Sequence, residues 1–229
     1  MKSAITMLDF NFAVGATEIE RLSEVWLKEI EEAALTASTD DKFSAFLISV
    51  LRLGQKHKGL KSFNVFQIAE TAGYARSTFF RLFENYTQFL LKAYQVSAQL
   101  ATDVYQKYLE EQQMSLEEFI QFTSDVFYGL NCTISNEVMQ LLWNEHALKH
   151  EEFHPHLSDV ASVMFDYLSQ NDQTRNLALD KSELSAIIHS IDRDMLMARV
   201  ENHPDWGTPE YYIKLKKLFH GYFLTCVRV

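Results

Sequence analysis

The chain has 229 residues, 47% of them hydrophobic, so it can bury at least one sizeable core, and disorder is excluded for most of its length. Only 7 Gly and 3 Pro occur, while good helix formers recur in long runs, which favours helix throughout. The formal net charge of −10 argues against nucleic-acid binding by the molecule as a whole, because phosphate is bound by Lys and Arg.

Helix-start signals and apolar residues at helical spacing divide the chain into about ten predicted helices. Thr17 and Glu20 form a capping box that opens the first helix, which runs to about residue 37. The helix that opens at Asn85 and runs to about Glu111 is predicted to be the longest. Other starts are predicted at 38–41, Asn64, Arg76, Ser115, Ser135, Pro155, Asp180 and Thr208. The predicted fold is therefore all-α.

The sequence offers no framework for disulfides and no membrane segment. Its two cysteines, Cys132 and Cys226, are far apart and outside any CxxC spacing. No run of about eighteen apolar residues occurs. Asp9 and Asn11 interrupt the apolar start of the chain, where Lys2 is the only positive charge. We therefore expect a cytoplasmic protein without an export signal.

Charge is distributed unevenly along the chain. Residues 1–39 hold three basic and seven acidic side chains, and residues 93–229 hold ten basic and twenty acidic ones. Residues 40–92, in contrast, hold eight basic and four acidic side chains. Binding to phosphate is therefore possible in this middle segment even though the whole chain is acidic.

Residues 64–83 have the pattern of a helix-turn-helix unit. Such a unit needs a small residue in its first helix, a glycine with positive φ in the turn, and apolar anchors on its second helix. Ala69, Gly73, and the pair Phe79 and Phe83 meet these needs. With both phenylalanines turned inward, the opposite face of the second helix carries Arg76, Ser77, Thr78 and Arg81. This cationic, hydrogen-bonding face suits the major groove of DNA.

The segment KGLKSFNVFQIAETAGYARSTFFRLFENYTQFLL, residues 58–91, resembles the N-terminal DNA-binding domain of the TetR family of bacterial transcriptional regulators. The resemblance covers residues 42–92, and its IA pair, AG pair, aromatic pair and helix opening at Asn85 fall at family spacing. It implies an N-terminal three-helix DNA-binding domain and a larger helical domain for ligand binding and dimerisation. In the family the last two helices of each subunit form a four-helix bundle, and the middle helices enclose a small-molecule pocket.

Four positions depart from the family pattern. Ala75 replaces a serine that caps the recognition helix, Ser77 replaces a glycine, and Phe80 and Tyr86 replace a tyrosine and a lysine that contact phosphate. The basic side chains and the Tyr86 hydroxyl are expected to compensate for the lost contacts. The predicted DNA contacts are Lys58, Lys61, Asn64, Arg76, Ser77, Thr78, Arg81 and Tyr86.

We predict three segments along the chain. Residues 1–39 form an extension with one extra helix, which covers the DNA surface or docks a partner in one alternative. Residues 40–92 form the helix-turn-helix domain, and residues 93–229 form the ligand-binding and dimerisation domain. The homodimer is predicted to form through residues 181–227, where two stretches carry apolar side chains at helical spacing.

Aromatic and polar residues of the middle helices are candidates for lining the ligand pocket that the resemblance implies. They are Phe122, Gln140, Trp143, Asn144, His146 and Phe165. His146 and His150 also share a helix face at i, i+4, a spacing that can hold a divalent metal. Catalytic zinc sites of this pattern need a glutamate directly after the first histidine, where Ala147 stands, so the two histidines are only weak candidates.

The sequence thus predicts a ligand-responsive transcriptional regulator, expected to act as a homodimeric repressor on a palindromic operator in double-stranded DNA. Its effector is a small molecule, and no catalysis, cofactor, bound metal or membrane contact is expected. Two alternatives stay open. One is a helical sensor or partner-binding protein whose DNA-binding unit has degenerated, and the other is a metal-dependent enzyme centred on His146 and His150.

Overall fold

The computed structural model describes residues 16–37, 41–146 and 156–226, and these form ten helices. They are α1 (Ala16–Ala37), α2 (Lys42–Lys56), α3 (Val65–Thr71), α4 (Arg76–Leu82), α5 (Tyr86–Glu110), α6 (Leu116–Cys132), α7 (Asn136–His146), α8 (Leu157–Gln170), α9 (Lys181–Val200) and α10 (Pro209–Cys226). The β-structure within these ranges is limited to an isolated parallel bridge between Leu60 and Ile134. The predicted all-α fold is confirmed.

Most of these helices begin at the predicted capping residues. Asn64 and Ser115 each form a complete capping box: the cap side chain accepts from the backbone N–H of Gln67 or Glu118, and the side chain of that residue accepts from the backbone N–H of the cap. The box predicted at the start of α1 involves the Thr17 side chain, which lies outside the described residues. Three more caps accept a hydrogen bond from the backbone N–H three residues later, namely Asp41, Asn85 and Asp180.

The head, which we define as residues 41–92, is built on a cluster of phenylalanine rings. Phe46 of α2, Phe79 of α4 and Phe89 of α5 are fully buried. The Phe79 ring centroid lies 5.4 Å from that of Phe46 and 5.1 Å from that of Phe89, both edge to face. Because the three rings come from three helices, the cluster fixes α4 against α2 and α5.

The body, which we define as residues 93–146 and 156–226, has its own apolar core. Phe119 of α6, Met164 of α8 and Phe219 of α10 are fully buried there. Several buried polar groups are paired within it, as where the Tyr212 hydroxyl donates to the Asp125 carboxylate at 2.6 Å. No helix in the described ranges is both long and apolar enough to cross a lipid bilayer.

Helix α1 packs between head and body. Its Trp26 packs in the body core, whereas its Leu27 and Ile30 pack in the cluster that holds the head phenylalanines and also includes Met139 and Leu142 of α7. The helix approaches α6 closely at Gly129, where an added Cβ would lie 2.9 Å from Cδ1 of Trp26. The extra helix therefore uses its apolar face for internal packing, and the alternative in which it covers the DNA surface or docks a partner stays an untested prediction.

A backbone bridge also joins head and body. The N–H of Leu60, in the loop before α3, donates to the Thr133 carbonyl at 2.6 Å, and the N–H of Ser135 donates to the Leu60 carbonyl at 2.7 Å. Ile134 lies between these two partners, in the short connection from α6 to α7. The position of this connection is therefore linked directly to the loop that leads into α3.

Candidate nucleic-acid interface and candidate ligand cavity

Helices α3 and α4 are joined by a tight turn at Gly73. Gly73 has a φ of +74°, a value that favours glycine. The Tyr74 N–H donates back to the Ala69 carbonyl at 2.9 Å, and Ala75 precedes α4 without a side-chain cap. Ala69 is buried, as a small residue where two helices meet must be. The local geometry matches the predicted turn between two short helices.

Helix α4 has one buried face and one exposed face. Phe79 is 0% and Phe83, directly after the helix, is 5% exposed, because both rings lie in the aromatic cluster of the head. Arg76, Ser77 and Arg81 are exposed on the other side. Three of the four residues predicted to face outward on α4 therefore do so.

Thr78 is the fourth, and it is buried, with 7% of its surface exposed. It directly precedes Phe79, and a helix turns only about 100° per residue, so its side chain follows Phe79 toward the interior. Its hydroxyl accepts a hydrogen bond from Nη2 of Arg81 at 3.3 Å. Thr78 thus orients an arginine and does not itself reach the surface.

The two arginines of α4 are available for an external ligand. The guanidinium carbon of Arg76 lies 5.3 Å from the ring centroid of Phe80. Neither Arg76 nor Arg81 makes an ion pair with any residue in the described ranges. Both side chains therefore carry uncompensated positive charge at the surface.

The remaining basic residues of the head differ in what they contact. Arg52 and Lys58 pair with α1, through Glu31 at 2.7 Å and Glu20 at 3.5 Å. Lys92 lies 4.4 Å from the ring centroid of Phe43. Exposed basic side chains of the head that pair with no described carboxylate are Lys42, Lys56, Lys61, Arg76, Arg81 and Lys92.

The other predicted DNA contacts are placed unequally. Lys61 is exposed, and Lys58 is exposed but paired with Glu20. Asn64 is exposed and caps α3. The hydroxyl of Tyr86 is buried, and burial raises its pKa to about 12. The Tyr86 hydroxyl therefore lies inside the head, where it cannot reach phosphate.

Large apolar side chains are exposed on the same two short helices. Phe66 of α3 is 62% exposed, and Phe80 and Leu82 of α4 are 45% and 44% exposed. Contact with a partner would remove these apolar side chains from water, so their exposure favours an interaction surface here. Phe66 was not among the predicted contacts, although its position two residues before the inward Ile68 indicates that it faces outward.

The residues predicted to line a ligand pocket do not come together. Phe122 is buried, stacked on Tyr108 with 4.5 Å between ring centroids, and Gln140 donates to the Val200 carbonyl at 3.0 Å. Trp143 and Phe165 are half-buried in different cores, and Asn144 is exposed. The His146 side chain lies outside the described residues. Aromatic residues on the middle helices are used in packing because they are the largest available apolar groups.

A cavity lies instead among α1, α5, α6, α8 and α9. About 90 Å³ within it is open to water. Its walls are mostly apolar, with Val126, Phe127 and Val160 among them, and two charged side chains of α9 also line it, Asp192 and Arg199. Of the predicted pocket residues, the five whose side chains the structure describes do not contribute to its walls.

Arg199 is fully buried at the wall of this cavity. Its Nη1 donates to Oδ1 of Asn131 at 3.0 Å, and its Nη2 donates to the carbonyl of Ile134 at 2.9 Å. Its Nε has no hydrogen-bond partner among the described residues. Burial lowers the pKa of Arg199 to about 10, and this effect outweighs the opposing influence of Tyr94, Cys132 and Asp192.

Asp192 and Arg199 were not among the predicted pocket residues. They follow the inward residues Ile188 and Met195 by one helical turn each, so a charge on the buried face of α9 was the available signal. Most apolar side chains of α9 and α10 that were predicted to form the dimer interface are buried within the single chain. The large exposed ones on α10 are Ile213, Leu218 and Leu224.

The predicted metal candidates cannot be placed, because His150 and the side chain of His146 lie outside the described residues. Among the residues that are described, no group of three or more His, Cys, Asp or Glu side chains is arranged to hold a metal ion. The histidine pair therefore stays an untested prediction.

No protein-family model matches the chain, and no curated protein or solved structure matches it either. The resemblance of residues 42–92 to TetR regulators therefore stays a prediction from the sequence.

Proposed function

We propose that the protein is a ligand-responsive, DNA-binding transcriptional regulator of the TetR type, a homodimeric repressor acting in the cytoplasm. The observation that carries this proposal is the exposed face of α4. Arg76, Ser77 and Arg81 are exposed there while Phe79 anchors the opposite face in the head core. A short helix that presents such a face can enter the major groove, which is about 12 Å wide.

The chemistry of this face suits a duplex. Arginine can donate two parallel hydrogen bonds to guanine or phosphate, and the serine hydroxyl can donate or accept one. Thr78 holds Arg81 from within the helix, which reduces the rotamer freedom that Arg81 would lose on binding. The Phe80 ring beside Arg76 offers an apolar surface to a thymine methyl group.

The charge distribution supports one productive orientation on DNA. Residues 40–92 carry twice as many basic as acidic side chains, eight against four, whereas residues 93–229 carry ten against twenty. Phosphate attracts the head and repels the body, so encounters that place the body against the duplex are disfavoured.

Dimerisation would double the sequence that is read. A twofold dimer places its recognition helices in successive major grooves when they are about 34–36 Å apart. Ile213, Leu218 and Leu224 lie exposed on α10, within the predicted interface of residues 181–227. Contact between two α10 helices would remove these side chains from water, which favours association.

Selection of genomic fragments by the purified protein, followed by sequencing, tests the proposal. The wild type is expected to enrich palindromic sites. The double variant Arg76→Ala/Arg81→Ala is expected to lose this enrichment. Arg175→Ala, which removes an exposed arginine of the body, is the matched control and is expected to retain it. Equal enrichment by all three proteins, or by none, would refute the proposed interface.

The exposed apolar side chains of the head favour a second candidate function, a sensor that binds a partner protein through a degenerated DNA-binding unit. Phe66, Phe80 and Leu82 are the residues concerned. In the fragment selection, Phe66→Ser separates the two functions. If the protein is a DNA-binding regulator with Arg76 and Arg81 at its interface, the Phe66→Ser variant is expected to enrich the same fragments as the wild type. If it is instead a partner-binding protein, the variant is expected to lose the partner that the wild type retains in affinity capture.

A further inference from the structure

The cavity of the body contains a positive charge that the protein leaves incompletely satisfied. Arg199 is 0% exposed, and no carboxylate in the described ranges lies within 4 Å of its guanidinium nitrogens. Two of its nitrogens donate to neutral oxygens of Asn131 and Ile134, and Nε donates to none of the described residues. A buried cation without an anionic partner is costly, and an anion brought to it is correspondingly stabilised.

The cavity is also the right size and polarity for a small organic molecule. The 90 Å³ open to water is several times the space that one water molecule needs, which is about 10–15 Å³ on the same measure. Its apolar walls include Val126, Phe127 and Val160. Asp192, seven residues before Arg199 on α9, also lines the cavity, so one carboxylate and one guanidinium contribute to its walls.

We propose that this cavity binds a small organic acid, with its carboxylate on Arg199 and its apolar part against Val126 and Phe127. The role of the bound acid as an effector rests on the proposed function, because a ligand-responsive repressor needs an effector. The binding site itself does not depend on DNA. A planar carboxylate matches the guanidinium fork, and the mostly apolar walls suit the apolar part of such a molecule.

The same arginine connects the site to the head. Nη2 of Arg199 holds the carbonyl of Ile134, and the residues on either side of Ile134 form the backbone bridge with Leu60. A carboxylate that competes for this guanidinium releases the α6–α7 connection from Arg199. The loop before α3 moves with that connection, so loading of the cavity is expected to weaken the binding of DNA.

Calorimetric titration of the full chain without DNA tests the site. The probes are benzoate and its isosteres benzamide and benzylamine, each up to ~10 mM, a range that detects millimolar binding. Benzoate is expected to bind at least about tenfold more tightly than either isostere. Butyrate and phenylacetate serve as two further carboxylate probes. Equal binding of benzoate and its two isosteres, tighter binding of benzylamine than of benzoate, or no binding of any of the three carboxylates would overturn the proposal.

Two variants locate the binding. Arg199→Gln keeps hydrogen-bond donors but removes the charge, and is expected to abolish the preference for benzoate over benzamide. Ala101→Leu fills the cavity without changing Arg199, and is expected to reduce benzoate binding at least about tenfold. If Arg199→Gln does not fold, Ala101→Leu still decides, since unchanged benzoate binding in it refutes the site. Benzoate binding by a protein that selects no DNA would refute the proposed function and leave the site standing.

Discussion

Substitution of Phe79 by alanine tests whether α4 is oriented as described. The Phe79 ring is fully buried and lies 5.1–5.4 Å, centroid to centroid, from the rings of Phe46, Phe83 and Phe89. Its removal leaves a cavity at the centre of the head, and a Phe→Ala change of this kind costs about 3–5 kcal/mol. Such a loss is a large part of the ~5–15 kcal/mol by which folded proteins are stable.

Urea unfolding monitored by circular dichroism measures this cost, with Phe80→Ala as the matched control. Phe80 is the next residue of the same helix, but 45% of its surface is exposed, so its loss is expected to cost less than about 1 kcal/mol. Phe79→Ala is therefore expected to lower the midpoint far more than Phe80→Ala. Equal costs, or a larger cost for Phe80→Ala, would mean that α4 is turned differently and that Arg76 and Arg81 do not share an outer face.

Three further predictions concern α1, the DNA contacts and one capping box. Gly129→Ala places a Cβ 2.9 Å from Trp26, whereas the Cβ of Gly221→Ala meets nothing within 4 Å. In urea unfolding, Gly129→Ala is therefore expected to be about 1–3 kcal/mol less stable than the control Gly221→Ala. Equal stabilities of the two variants would contradict the packing of α1 on α6. Arg81→Ala is expected to weaken operator binding and relax sequence preference, whereas Lys61→Ala weakens binding to all sequences alike; fluorescence anisotropy on matched and mismatched duplexes distinguishes them, and no effect of either refutes the interface. Hydrogen bonds from the backbone and hydroxyl of Ser115 lower the pKa of Glu118 below its ordinary 4.5, so the stabilisation by its carboxylate is present above pH 4.5 and is lost as the pH falls through the lower pKa of the folded state. The difference in unfolding free energy between wild type and Glu118→Gln is therefore expected to become smaller on acidification. A difference that does not change with pH would refute this.

Local signals in the sequence predicted the helices well. Asn64 with Gln67 and Ser115 with Glu118 are pairs whose hydrogen bonds require only a spacing of three residues, so the pattern is sufficient to locate them. The inward placement of Phe79 and Phe83 follows from helical periodicity in the same way. Thr78 was misplaced because periodicity gives the centre of a buried face but not its width.

The positions of α1 and of the cavity lined by Arg199 could not be predicted, because both depend on contacts between distant parts of the chain. Trp26 meets Gly129 only after α1 has packed on α6, and neither residue signals the other in the sequence. The cavity is bounded by parts of five helices, and its Arg199 lies far in sequence from its partner Asn131. The charged residues on the inward face of α9 were the one local signal of the cavity, and they can be recognised as buried only once that face is known.

The dependence of DNA affinity on salt is the most direct test of the central claim, that the exposed face of α4 binds a duplex. The slope of log K against log salt concentration, measured by fluorescence anisotropy on a selected fragment, reports the number of phosphate charges that the protein neutralises. A steep negative slope is expected for the wild type and for Arg175→Ala, with weaker binding and a shallower slope for Arg76→Ala/Arg81→Ala. A slope near zero for the wild type, or one that the double variant leaves unchanged together with the affinity, would contradict the claim.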